Sequence, residues 1–458
     1  GKPLYYATSM PMPGGGAEGL LIETHEGRPT KIEGNPLHPI NNGKSSAWAQ
    51  GSILSLYDPD RLKFPVYNPT GKEASWDDVA AWAGEHFAKF SSTGGEGLAF
   101  IVEKKTSLSR SAQRERLLKK FPKAAWVSWD PVQARGPIDG SAISFGTPMR
   151  ELLSLSKAKV ILSLDRDFLS NEPGQLVNAR EFAATRLPKR TGANQYEMSR
   201  LYVVESGMTL TGGQADHRLR LAPSRIVAFA VELAKFVISK TGTAGTEALA
   251  SAVAKVSVPE SEKLDLAFLE EAAKDLLDSA NRGAAVVLAG RSMPAEVHAL
   301  CHALNACLGS LGSVVRYQPM DAEAASDCGK DLRALAQRMS EGKIDTLVVI
   351  DANPVYDAPG DVNFAEAYKK VPTTVCMSVG QSETAAASTW SLNGCHYLEC
   401  WGDTIANDGC LAPQQPMIAP LFGPQLTEAE RSLPESERPL HALSELELLA
   451  LIADDARP

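Results

Sequence analysis

Cysteine is missing from the first 300 residues. All seven, Cys301, Cys307, Cys328, Cys376, Cys395, Cys400 and Cys410, come later. An iron–sulfur cluster needs about four closely spaced thiolates, so none can be assembled within that long N-terminal stretch. The tightest later set, Cys395, Cys400 and Cys410 with His396 beside the first, fits neither a cluster spacing nor a zinc pattern. Buried or disulfide-bonded cysteine is the simpler reading, and the odd count leaves at least one thiol free or paired to another chain. No run approaches the roughly 18 apolar residues that cross a bilayer. The nearest, Ile226 to Ile238, is broken by Glu232 and Lys235 and reads as an amphipathic helix. Positive charge is not in excess: 46 Lys and Arg stand against 55 Asp and Glu, for a net charge of −9 and a pI near 5.5. That balance argues against nucleic acid or an anionic membrane as the main partner. The chain opens on Gly1 with no signal peptide, which suggests processing and leaves the compartment illegible from this end.

What is present is an ordinary globular mix, 44% hydrophobic and 22% charged over 458 residues, enough for several domains. Short apolar runs alternate with helix-period segments. The runs are Leu98–Val102, Ala125–Trp129, Lys159–Leu164, Leu201–Val204, Ala285–Leu288, Thr346–Ile350 and Thr373–Met377. Amphipathic stretches lie between them at Asp77–Phe90, Ser111–Lys120, Ile226–Lys240, Leu264–Ser279, Glu296–Leu308 and Lys330–Met339. Continuous apolar strands, each followed by a helix, predict parallel sheets covered on both faces, here in two sheets. Residues 1–70 differ, being Gly- and Pro-rich with short β runs at Gly19–Thr24 and Pro29–Glu33 and turns at Gly14–Gly16 and Asn41–Gly43. Leu187–Arg200 and Leu426–Pro439 read as linkers, and Ala442–Ala453 as a Leu-rich helix that needs a partner.

Isolated motifs carry little. Gly94-Gly95-Glu96-Gly97 precedes a strand, so it is a turn and not a phosphate cradle. His25 and His38 lie in the β segment, His38 as a turn residue. Ser141 and Ser144 have no His or Asp at hydrolase spacing, and His217 reads as a surface or packing residue.

Longer motifs carry a resemblance. The stretch GRPTKIEGNPLHP, followed by SSAWAQG and YDPDRL up to Leu62, is similar to the opening of the molybdopterin oxidoreductases, where GR…GNP.HP leads to a Cys-containing turn and Y.PDRL. Ser75–Ala83 (SWDDVAAWA), Lys157–Pro173 (KAKVILSLDRDFLSNEP), Ser199–Ser224, Asp345–Pro359 (DTLVVIDANPVYDAP) and Trp401–Pro420 resemble later segments of that family in the same order. The fold implied resembles dimethyl sulfoxide reductase and formate dehydrogenase. It is α/β, with a small N-terminal β-rich domain at 1–70, a discontinuous Rossmann-like domain at 71–150 and 316–458, and a second at 151–315. The family's C-terminal β-barrel and any ferredoxin-like part would lie outside this chain.

The resemblance also assigns positions, and the expected chemistry is absent from them. Ser46 stands where the family has the last cluster Cys, and Trp48 where it has a Lys bridging cluster and pterin. Gln133 falls near the molybdenum-ligand position, with Asp130 and Asp139 as alternatives in another register; an amide is a poor ligand for a high-valent metal. The family's phosphate loops are glycine-rich because backbone N–H groups must approach the pyrophosphates of a molybdopterin guanine dinucleotide. Here they read Asp165-Arg166-Asp167 and Asp351-Ala352-Asn353-Pro354. Arg166 is expected to pair with its flanking aspartates. The nucleotide-reading loop becomes Glu205-Ser206-Gly207, without the family's Arg.

These losses, with LYDPDR and NPVYDAP, resemble one subgroup, the iron–sulfur, molybdopterin-like subunit of alternative complex III. That likeness implies a scaffold with no pterin, metal or cluster of its own. It would sit on the periplasmic face, exported by a signal upstream. Its neighbours there would be a ferredoxin-like iron–sulfur part, c-type haem subunits and a quinol-oxidising membrane subunit. Two other readings stay open: an active molybdopterin-dependent oxidoreductase with atypical ligands, and a nucleotide- or anion-binding module using the same cleft.

Overall fold

The apolar runs become parallel strands. A computed structural model describes residues 1–12, 14–193, 195–241, 246–254, 256, 264–423, 427–434 and 438–453. It divides into two units, 1–133 with 326–458 and 134–325.

In the first unit five parallel strands lie in the order Trp390–Asn393, Thr373–Ser378, Thr346–Ile350, Leu98–Glu103, Ala125–Trp129. Val66–Tyr67 and Lys72–Glu73 extend the first edge antiparallel. Alternate residues of each strand feed opposite faces. Leu98, Phe100, Val102, Val348 and Ile350 pack with Trp76, Phe87, Leu117, Leu448 and Leu449. Ala99, Ile101, Leu347 and Val349 pack with Leu332, Leu335, Met339 and Tyr368. Both faces are covered, which is why these strands carry no polar alternation. Strand order reverses between Leu98–Glu103 and Thr346–Ile350, so the switch point, where such sheets take ligands, lies at their carboxyl ends.

The N-terminal part of this unit is a meander of Leu4–Pro11, Ala17–His25 and Arg28–Gly34. Glu26 and Gly27, at φ 52° and 82°, form its second turn. Leu20, Ile22 and Ile32 pack on Ala49 and Leu56 of the helix Ala47–Leu56 and on Leu398.

The second unit holds four parallel strands in the order His217–Arg220, Arg200–Glu205, Val160–Leu164, Ala285–Ala289. Its switch point lies between Val160–Leu164 and Ala285–Ala289. The expected boundaries near 150 and 316 move to 133/134 and 325/326, for a packing reason. The helix Arg135–Phe145 lies on the helix Ala295–Leu308 and its flank through two glycines: a Cβ on Gly136 would stand 2.0 Å from the Met293 carbonyl, and one on Gly140 2.5 Å from His298. Met149–Leu153 then pairs antiparallel with Val315–Pro319. The segment expected to be a linker at 187–200 instead forms a hairpin, Lys189–Arg190 with Tyr196–Glu197. The linker expected at Leu426–Pro439 contains the short helix Glu428–Arg431; residues 426 and 435–437 lie outside the described residues. No helix among the described residues is long and apolar enough to cross a membrane.

Candidate functional site

At the first unit's switch point the strand Leu98–Glu103 runs into Lys104, Lys105, Thr106 and the Ser107 cap of the helix Leu108–Lys120. A helix N-terminus directly after the first strand is a ready anion site, because its amide N–H groups have no intrahelical acceptor. Those amides are taken by a carboxylate of this chain. Asp403 accepts from the Leu108 N–H at 2.7 Å, the Ser109 N–H at 3.1 Å and the Ser107 hydroxyl at 3.0 Å. The nearby cations are taken too. Glu445, which opens the helix Glu445–Ala453, pairs with Lys105 and accepts from Arg110 at 3.2 Å. Burial works against the Glu445 charge, but Lys105 and Arg110 hold its carboxyl below the usual range.

Across the crevice, at the carboxyl end of Thr346–Ile350, Asp351 sits at φ 50°, the left-handed conformation that glycine adopts without cost and Asp tolerates. The turn keeps a glycine-like backbone while carrying a carboxylate. Burial pushes Asp351 up to about 6 and Glu103, beside it, up to about 7, with Asp351 adding to the rise of Glu103. Asn353 is engaged with the helix Glu383–Ala386: its amide donates to Glu383 at 2.7 Å, and its oxygen accepts from the Thr384 N–H and hydroxyl.

The second unit repeats the pattern. Asp165 also sits at positive φ, 56°, and the opposing strand's Gly290 approaches so closely that a Cβ there would be 1.9 Å from the Asp165 carbonyl. The Asp165 carboxylate accepts from Ser292 at 3.1 Å and from the Ser206 N–H at 3.4 Å. Asp167 accepts from the Thr211 N–H and hydroxyl at 3.0 and 2.8 Å. The expected pairing of Arg166 with these neighbours is corrected: its guanidinium reaches Glu151 on the strand Met149–Leu153. Both are largely buried, and despite burial Arg166 keeps the Glu151 carboxyl low. The left-handed turn at Asp165 redirects the chain, so adjacent side chains diverge. Glu205, buried, binds Arg218 at 2.5 Å and Thr209 at 2.6 Å. A Cβ on Gly212 would stand 1.8 Å from it.

The remaining assigned residues have structural neighbours. Ser46 is buried and caps the helix Ala47–Leu56, accepting from the Ala49 N–H at 3.1 Å while its own N–H donates to Glu18 at 2.9 Å. Trp48, two residues on, is 72% exposed. The Gln133 amide donates to the Ser326 carbonyl at 2.8 Å and accepts from the Cys328 N–H at 3.0 Å, tying together the two strands of chain that enter and leave the first unit. Asp130 accepts from the Val132 N–H at 3.0 Å, and Asp139 pairs with Arg135. His25 pairs with Glu23, His38 lies against Gly19, and His217 stacks on Tyr202.

Some contacts had no local signal in the sequence. Arg61 and Glu399 form a bidentate pair at 3.0 and 2.7 Å, almost fully buried, and Glu399 also accepts from the His396 and Leu421 N–H groups. Ser144 lies 2.9 Å from His302 Nδ1 but directs its hydroxyl to the Gly140 carbonyl at 3.1 Å; burial lowers His302 to about 4. The seven cysteines are unbridged, and the described residues hold no cluster of three or more metal-ligating side chains.

No family model matches the chain. Over an alignment of 457 positions that covers 88% of this chain, it is 26% identical to the menaquinone reductase molybdopterin-binding-like subunit of Nitratidesulfovibrio vulgaris, of which it spans 61%. A 79-residue stretch is 33% identical to a sulfite dehydrogenase subunit of Allochromatium vinosum, covering 16% of this chain and 8% of that protein. In structure it is similar to acetylene hydratase from Pelobacter acetylenicus, with a TM-score of 0.64 and 16% identity over 98% of this chain and 67% of the other. The expected mixed α/β fold with parallel sheets is therefore shared with a solved protein.

Proposed function

We propose that this chain, a member of the molybdopterin oxidoreductase superfamily, is a cofactor-free scaffold within a respiratory oxidoreductase that draws on a quinone or quinol pool. The observation that carries the reading is the set of self-supplied carboxylates at anion positions. Asp403 covers the amides opening the first helix, Glu445 takes Lys105 and Arg110, and Asp351 and Asp165 stand at glycine-like turns. A pyrophosphate placed there would meet like charge, with its donors already used; removing such donors from a buried carboxylate is costly. The residues at the other assigned positions also do not suit the family's groups. Ser46 is a buried helix cap, Trp48 offers an exposed neutral indole where the family's bridging Lys would be cationic, and the Gln133 amide is occupied on both sides.

The similarity to a menaquinone reductase subunit named molybdopterin-binding-like supports a place in a respiratory complex. On this reading the partners, on the periplasmic face, are a ferredoxin-like iron–sulfur part, c-type haem subunits and a quinol-oxidising membrane subunit. Catalysis and electron transfer belong to those partners, and this chain holds them in position.

A thermal-shift series with guanine nucleotides separates this role from nucleotide binding. A ligand at a hundredfold excess over its dissociation constant stabilises by about 2.7 kcal/mol. The scaffold role predicts no saturable shift, and a saturable one would support the nucleotide-binding reading.

A further inference from the structure

Of the two cations at the first unit's switch point, Arg110 is held by the backbone as well as by the acidic partner it shares with Lys105. Arg110 is fully buried, and its guanidinium donates to the Glu103 carbonyl at 2.6 Å and to the Lys105 carbonyl. Its position is therefore fixed by the turn that follows the strand Leu98–Glu103. Lys105 comes from the same turn. The carboxylate between them arrives from far along the chain, on Glu445, whose side chain is 6% exposed and engages one cation with each oxygen. Nothing in the turn 103–110 requires that carboxylate to be covalently attached. A fully buried and a partly buried cation side by side, however, require some anion, since leaving the buried one uncompensated in a low-dielectric site is costly. Glu103 and Asp351 face the same spot and add negative potential, which favours a singly charged occupant over a doubly charged one.

We propose that Lys105 and Arg110 form an oxyanion-binding site whose built-in occupant is the Glu445 carboxylate, and that a free monocarboxylate takes this place when the side chain is removed. The site is selective by charge count, so acetate fills it better than inorganic phosphate does. The helix Glu445–Ala453 remains docked through Leu448, Leu449 and Ile452, so the vacated space is a cavity in an otherwise intact unit. The inference does not depend on the proposed scaffold role. That role fails on bound pterin or nucleotide, and this one on absent rescue.

The test is chemical rescue of Glu445→Ala, followed by tryptophan fluorescence. All seven tryptophans lie in the first unit, so the signal reports that unit. The variant should lose on the order of 10 °C in Tm. Sodium acetate should recover at least half of the loss, phosphate at equal ionic strength less, and acetamide or sodium chloride none, with the parent chain unresponsive to all four. An acetate response no larger than that to chloride, or equal in the parent, would overturn the site. Glu445→Gln keeps the volume and removes the charge. It should raise amide exchange across Glu445–Ala453 at least tenfold while leaving the strand Thr346–Ile350 unchanged; uniform or absent change would also overturn the proposal.

Discussion

Asp351→Asn removes one of the two costly carboxylate charges at the first unit's switch point. Asp351 rises from its ordinary 3.8 to about 6 through burial, with Glu445 adding and Lys105 and Arg110 opposing. A rise of that size corresponds to about 3 kcal/mol of destabilisation once the group is fully ionised. The sign follows from proton counting. Between about pH 4 and 6 the folded chain holds the proton that the unfolded chain has released, so this group's contribution to unfolding free energy falls as pH rises. Glu103, raised to about 7, extends the decline toward neutrality. Asparagine tolerates the same left-handed backbone, so the substitution removes charge without adding strain. It should stabilise the first unit by about 1 to 3 kcal/mol at pH 7.5 and by less than about 1 kcal/mol at pH 4. Urea unfolding followed by tryptophan fluorescence at the two pH values measures the difference. A variant equally affected at both pH values, or less stable than the parent at pH 7.5, would refute the account of this charge cluster.

Other changes follow the same logic. Ser46→Ala removes a helix cap and should cost about 1 kcal/mol, read as a lower urea midpoint at unchanged slope; no change would mean that Ser46 does not cap. Arg61→Met leaves the buried Glu399 carboxylate without its cation and should cost about 3 to 5 kcal/mol, with Arg61→Met/Glu399→Leu recovering much of it; a double variant as unstable as the sum of the singles would contradict the coupling. Trp48→Ala removes a side chain that is 72% exposed and should change stability by less than about 0.5 kcal/mol, so a large loss in unfolding experiments would show that Trp48 is structural.

The strands were legible because both of their faces are buried. Ala125–Trp129 and Thr346–Ile350 have the expected bounds, and the other runs differ only at their ends, Lys159–Leu164 losing its first residue and the rest gaining one or two. The departures at Asp165 and Asp351 were also visible, but only the structure shows that both keep a glycine-like backbone while changing the chemistry. Partner choice was not legible. Arg61 meets Glu399 across 338 positions and Arg110 meets Glu445 across 335, and single charges in loops carry no periodic signal that would announce such pairs. Arg166 was misread because sequence adjacency is a poor guide where the chain turns left-handed. The hairpin at 189–197 was missed because two-residue strands rich in charge lack the apolar alternation by which strands are recognised.

The central claim is that this chain's carboxylates occupy the places where the superfamily holds its cofactor. The direct measurement is molybdenum, tungsten, iron and pterin content per chain in natively matured protein, with the chain separated from its partners. The account predicts amounts far below one per chain for all four; stoichiometric pterin with molybdenum or tungsten would contradict it.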